Sequence, residues 1–292
     1  YALDTKAKTL AKAGSWNDAA DLYARALTLY PADDLLKNNI AVLAQEWQKA
    51  AYAKGGATEV SAVQAILASK VPGVSTLGNS GRDQIRRTVN EQVRSRDFAK
   101  ALETLKSASS LLAPADMTQL NELVYDNWAK ERAAAKDWAA AADIYATGLA
   151  AAGPTDLLRN NITYLAQEWA RAAFASGGID ATIQVAQQAM AKFPGVPDVK
   201  AGPAAVIANA VQDRVKAASF PDAIAMIERA GEALSADRQR QLFEYSYDNW
   251  AKTFFGKKQW DEAIKIYDQG LARLPNNSLL TQNRAYCLAQ RK

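Results

Sequence analysis

Four residues near the C-terminal end, Trp260, Ala263, Tyr267 and Leu271, recur as Trp138, Ala141, Tyr145 and Leu149, and again as Trp16, Ala19, Tyr23 and Leu27. Both steps are 122 residues. A fixed period of that length constrains the fold more than any other feature, because a repeated unit has to bury its apolar face on its neighbours. Within each copy the four residues are three or four apart, the spacing of one face of an α-helix.

Helix punctuation follows the same period. Only 15 Gly and 9 Pro interrupt 292 residues, and no run alternates Val, Ile and Thr with polar residues as a strand requires. The fold class is therefore all-α. Two helical patterns between Tyr1 and Tyr30 are separated by Ala13-Gly14-Ser15, with Ser15 placed to cap the second and Pro31 ending it. A long helix from about Asp34 to Lys54, the breaker Gly55-Gly56 and a shorter helix to Lys70 form a second hairpin, closed by Pro72-Gly73. A polar connection from Ser75 to Gly81 leads to a third, in which Asp97 caps a helix carrying Phe98, Ala101, Leu105 and Ala108.

The set then starts again. YDNWAK at Tyr125–Lys130 recurs unchanged at Tyr247–Lys252, and NNIAVLAQEW from Asn38 returns as NNITYLAQEW from Asn160. Gly177-Gly178 and Pro194 match Gly55-Gly56 and Pro72, while Phe220, Ala223, Ile227 and Ala230 match the third hairpin. The copies span about 1–122, 123–244 and, incompletely, 245–292, within one array that covers the chain.

The hairpins resemble the tetratricopeptide repeat, in which an aromatic, a small residue four on and a further aromatic precede Ala-x3-aromatic and a closing Pro. Tyr247, Trp250, Ala251, Phe254, Ala263, Tyr267 and Pro275 fit that pattern in full. The Gly-Gly hairpins depart from it, keeping only Asn39-Ile40-Ala41 or Asn161-Ile162-Thr163 and the proline. The resemblance implies a right-handed α-solenoid of about seven antiparallel helix pairs plus a terminal helix. All seven tryptophans (16, 47, 128, 138, 169, 250, 260) sit at repeated positions and read as packing residues.

Composition excludes several function classes. A net charge of +4 from 35 basic and 31 acidic residues is too dilute for a nucleic-acid binder. In the densest basic stretch, Arg82–Arg96, Asp83 and Glu91 flank Arg87 one turn away on either side, the pattern of a solvated, ion-paired face. With no histidine and one cysteine, Cys287, the chain lacks an intramolecular disulfide, Cys/His zinc ligation and imidazole bases. The carboxylate pairs Asp33-Asp34 and Asp261-Glu262 lie at helix starts, where the dipole accounts for them, and neither Gly-Gly pair is followed by the Lys-Ser/Thr of a phosphate loop. No enzyme activity and no cofactor are expected. No segment has the length and apolarity of a membrane span. Residue 1 is Tyr rather than Met, which implies a processed or excised segment; one free Cys suits the cytoplasm and the envelope of a bacterium alike.

The resemblance also implies a function: the first helices of successive hairpins line a concave groove that receives a peptide or protein segment, as a scaffold or adaptor. Candidate contact residues are Asn39, Arg87, Asn127, Lys130, Asn161, Asn249 and Lys252, with Asn283 in the third copy. An Asn amide both donates and accepts, which suits a peptide bond. Asp126 and Asp248 stand beside these residues, and each is also placed to pair with the lysine four on and merely solvate its helix. Two alternatives stay open: a solenoid that senses a small molecule or signalling peptide, and the recognition part of a larger enzyme.

Overall fold

The computed structural model describes residues 2–72, 74 and 79–291. These form thirteen α-helices and one 3-10 turn, with no strand among the described residues. The helices are α1 (Ala2–Lys12), α2 (Trp16–Leu29), α3 (Asp34–Lys70), α4 (Asn79–Arg94), α5 (Phe98–Ser107), α6 (Pro114–Ala134), α7 (Trp138–Ala152), α8 (Asp156–Lys192), α9 (Ala201–Lys216), α10 (Phe220–Ala230), α11 (Ala236–Phe255), α12 (Trp260–Arg273) and α13 (Ser278–Gln290). The expected hairpins are present as α1–α2, the two arms of α3, α4–α5, the two arms of α8, α9–α10 and α11–α12.

Local chemistry sets the turns. At Gly14, Arg96, Lys136, Ala218 and Lys258 the backbone takes φ between +56° and +79°, and the next amide reaches back five residues, as from Ser15 to the Leu10 carbonyl at 2.9 Å. That reversal closes a helix with a left-handed residue, which glycine adopts freely and the other four positions adopt at a cost. Asp97 caps α5 by accepting from the Lys100 amide at 3.4 Å, as its position predicts. Ser15 precedes α2 but makes no side-chain cap bond. The Gly-Gly breakers kink α3 and α8 and divide each into two helical arms, with Gly56 at φ +67°, ψ −150° and Gly178 at φ +65°, ψ −149°. The expected polar connection is shorter than Ser75–Gly81: helix α4 already begins at Asn79, and residues 75–78 lie outside the described residues, as does Gly73.

Contacts divide the chain into two compact units. The first runs to Glu131 and includes Thr147–Thr155; the second holds Arg132–Ala146 and everything from Asp156. In the first unit α1 to α5 pack in chain order, α1 also touching α3 and α3 touching α5. Its core runs without interruption from Ala7 through Tyr23, Ile40, Leu67, Ile85 and Leu105 to Val124. Phe98 of α5 stacks on Trp128 of α6 with ring centres 5.9 Å apart. In the second unit α8 to α13 follow the same rule, each helix meeting the next, with α8 on α10, α9 on α11 and α11 on α13. Phe220 stacks on Trp250 at 5.8 Å, the same pair one copy later.

Small residues let these helices approach. A β-carbon at Gly148 would lie 2.8 Å from that of Tyr125, and one at Gly270 would lie 3.0 Å from the Tyr247 ring. In the first copy the corresponding pair is Ala26 and Leu3, so a bulkier small residue coincides with a smaller apolar one. The tryptophans are buried or half-buried, Trp47 most deeply, consistent with packing.

Candidate functional site

The first helix of each copy carries an aspartate whose carboxylate faces the protein rather than solvent. Asp248 is 6% exposed and accepts three hydrogen bonds: from Lys252 Nζ at 2.6 Å, the Tyr267 hydroxyl at 3.1 Å and Asn283 Nδ2 at 2.8 Å. Asp4 accepts the same set in the first copy, from Lys8 at 2.8 Å, Tyr23 at 2.9 Å and Asn39 at 3.0 Å. One carboxylate thus joins three successive helices, by donors 4, 19 and 35 residues further on. Asp126, Lys130, Tyr145 and Asn161 stand at the same spacings in the middle copy, where Lys130 bonds Asp126 at 2.6 Å and Asp126 is 5% exposed.

The electrostatics follow from this burial. Removal from water pushes the Asp4 carboxyl up, but the bonds from Lys8, Tyr23 and Asn39 and the Lys8 charge outweigh it and hold the group below the ordinary carboxylate range. Burial, then the bond and charge of Asp4, raise the Tyr23 phenol. Burial and the Asp248 carboxylate do the same to Tyr267, and burial alone lifts the Tyr125 phenol. The Cys287 thiol is buried and also raised by burial, so it is held as a neutral apolar group. Among the described residues no cluster of three or more His, Cys, Asp or Glu is placed to hold a metal ion, and no helix is long and apolar enough to cross a membrane.

Around Asp4 and Asn39 the surface is concave. One hollow of about 500 Å³ lies between the C-terminal half of α1, the start of α2 and the middle of α3, walled by Ala11, Trp16, Tyr23, Val42 and Leu43. A second, of about 410 Å³, lies towards the start of α1 and α3 and the end of α2, with Leu3, Leu29, Tyr30, Leu35 and Leu36 in its wall. Asn39 lines both hollows of this concave surface, and Asp4, to which it donates, lines the second.

The sequence-derived contact residues are distributed as follows. Asn39 is half-buried on this concave surface, and Asn161, also half-buried, stands at its equivalent position in α8. Asn127 and Asn249 donate to the carbonyls of Leu123 and Tyr245, one turn back in their own helices, at 2.8 and 2.7 Å. Lys130 and Lys252 are exposed but tethered to Asp126 and Asp248. Arg87 is exposed on α4 and bonds Gln84 at 3.1 Å rather than Asp83 or Glu91, while its neighbour Arg86 pairs with Asp116. Asp4 and Asp248 are therefore more than solvating partners of their own helices; each is an acceptor at a joint of three helices. Two sets of residues escape a pattern search based on one helix at a time: the Tyr donors, and the exposed apolar pairs Leu35/Val42, Leu157/Tyr164 and Leu279/Tyr286. Their signal was the 122-residue period itself, which carries each of them into every copy.

Neither protein-family models nor curated protein sequences match the chain. Among solved structures it is similar to the TPR domain of P58(IPK), with 12% identity over 99% of this chain and 78% of that one, at a TM-score of 0.24. It is also similar to the APC/C hetero-tetramer Cut9–Hcn1, with 14% identity over 93% of this chain and 63% of that one, at a TM-score of 0.23. The chain thus spans less than two thirds of the latter's length. Similarity at this level adds no weight to the fold, which rests on the helices described above.

Proposed function

We propose that the chain is a non-catalytic interaction module that holds a segment of another protein along the first helices of its hairpins. The observation that carries this reading is a pair of apolar side chains left in solvent at matching sequence positions of each copy. Leu35 and Val42 are 56% and 58% exposed, Leu157 and Tyr164 44% and 63%, and Leu279 and Tyr286 37% and 53%. Each pair is seven residues apart, two turns on one helix face, and the adjacent Leu36, Leu158 and Leu280 are buried in the core. The helices therefore satisfy their packing with one face and keep a second apolar line outside it, the mark of a contact surface.

Asn39, Asn161 and Asn283 lie between the members of each pair, one turn from either. The amide of Asn39 gives one N–H to Asp4, and its carbonyl oxygen and second N–H suit a ligand backbone. Asn127, Asn249, Lys130, Lys252 and Arg87 extend the same surface in this proposal, the cations meeting acidic side chains of the partner. Nucleic acid is not the partner proposed, because basic and acidic groups are interspersed rather than gathered in a stripe.

The test is capture of partners from source cells by the wild type, by the double variant Leu157→Asp/Tyr164→Asp and by Lys265→Glu, an exposed change on α12. The expected result is loss of the partner with the double variant alone. Loss with Lys265→Glu and retention by the double variant would place the working surface on the opposite helices.

A further inference from the structure

The hollow between α1, α2 and α3 has a counterpart between α11, α12 and α13, and the two differ in what occupies them. In the third copy the space is filled from within. The ring of Phe255 lies 5.7 Å from Trp260, 6.2 Å from Tyr267 and 6.1 Å from Tyr286, and Trp260 meets Tyr286 edge-on at 6.4 Å. Four aromatic rings in tilted and edge contacts make one cluster of the kind that quadrupole interactions favour, with the outer side of Tyr286 still in solvent.

The first copy keeps the walls and omits the filling. Trp16 and Tyr23 stand where Trp260 and Tyr267 do, whereas Ala11 replaces Phe255 and Val42 replaces Tyr286. Two rings are missing, and the hollow of about 500 Å³ is found at that place, with Ala11, Trp16, Tyr23 and Val42 in its wall. An apolar hollow offers water few hydrogen-bond partners and gains most from an apolar group of matching shape. On the α1 side its rim carries Lys8 and Lys12; on the α3 side it carries Glu46. Lys8 is tied to Asp4, while Lys12 has no ion pair among the described residues.

We propose that this hollow is a specificity pocket for an aromatic side chain of the bound segment, inserted where Phe255 and Tyr286 sit in the third copy, with an adjacent carboxylate of the segment at Lys12. The inference rests on the groove reading and sharpens it: the first copy reads an aromatic residue beside an acidic one, and the third copy, already filled, does not. The shape of the ligand is thus supplied by the protein's own sequence 244 residues further on, twice the repeat period.

The probe is a fluorescent, acetylated five-residue peptide with one phenylalanine between pairs of glutamates, compared with the same peptide carrying alanine at the centre. Anisotropy titrations should show the phenylalanine peptide binding at least about tenfold tighter, the effect expected from burying one ring. The variant Ala11→Phe/Val42→Tyr, which gives the first copy the filling of the third, should fold with an equal or higher thermal midpoint and lose that preference. Lys12→Glu should weaken both peptides and flatten their salt dependence. A second readout uses 5-fluorotryptophan-labelled protein, with the Trp16 resonance assigned by Trp16→Phe: that signal should move on addition of the phenylalanine peptide. Equal binding of the two peptides, undiminished preference in the filled variant, or a Trp16 resonance that stays fixed while peptide binds would each overturn the pocket. A natural partner kept by the filled variant yet lost with Leu157→Asp/Tyr164→Asp would overturn the pocket and leave the groove standing, whereas a partner kept by both variants would overturn both.

Discussion

Removing the Asp248 carboxylate tests whether the joint between helices, rather than solvation of one helix, is what this residue supplies. In Asp248→Ala the Tyr267 hydroxyl, on a residue with no solvent exposure, loses its acceptor, which costs about 1 to 3 kcal/mol for an unpaired buried donor. The half-buried Asn283 amide loses a charge-assisted bond, adding about 1 kcal/mol, and the exposed Lys252 contributes at most a few tenths. The expected loss is about 3 kcal/mol. Tyr267→Phe should cost less, about 1 to 1.5 kcal/mol, because Asp248 keeps its bonds from Lys252 and Asn283. In the double variant the stranded phenol is gone, so the two losses should fall short of additive by about 1 kcal/mol or more. Urea unfolding followed by tryptophan fluorescence, with Trp250 and Trp260 close by, measures all four corners of the cycle. An Asp248→Ala loss below about 0.5 kcal/mol, the size of an exposed helix pair, or additive single losses would refute the reasoning.

Further outcomes follow from the same geometry. Gly202→Ala should destabilise by about 2 kcal/mol or more in chemical denaturation, since its new β-carbon would lie 2.8 Å from the backbone of Gln167, which cannot swing aside. Ala218→Gly should stabilise by about 0.5 to 1 kcal/mol, as Ala218 holds φ +58° at a helix end. The thermal midpoint should fall at both pH extremes: Tyr23 and Tyr267 titrate higher folded than unfolded, so their contribution is whole below the ordinary phenol value of 10.0 and is lost above it. Asp4 titrates lower folded than unfolded, so its contribution is whole above the ordinary 3.8 and is lost as pH falls. The double variant Tyr23→Phe/Tyr267→Phe should flatten the alkaline limb, and an unchanged limb would contradict the assignment.

How much of this was legible in the sequence depended on the range of the interaction. Helix ends were readable because glycine, proline and capping aspartate act on backbone within a few residues, as at Asp97 and Gly56. The packing role of the tryptophans was readable because the period placed them in equivalent positions. The aspartates were not, because Asp126 and Lys130 have one spacing whether the carboxylate faces water or a neighbouring helix. Only the third dimension shows Asp248 turned to Tyr267 and Asn283. Likewise Arg87 found its partner in Gln84 through a choice of rotamer that charge spacing does not determine.

A repeat that preserves its joints can vary the positions beside them, and the three copies show where variation is affordable. The Asp–Lys–Tyr–Asn set is kept in all three copies, and in the first and third losing the acceptor strands donors that belong to two other helices. The residues at 11, 133 and 255 and at 42, 164 and 286 are Ala, Ala, Phe and Val, Tyr, Tyr, and no joint depends on them. The third copy carries aromatic rings at both places, and the first, with small residues at both, keeps the walls and opens a hollow. Rigidity matters, since a pocket whose walls are fixed by Trp16 and by Tyr23, itself held by Asp4, loses little conformational entropy when a ligand enters. In the proposed reading the first copy, whose variable positions are smallest, adds an aromatic pocket to the apolar surface, and the Asp4 carboxylate acts on that pocket by holding Tyr23 in place.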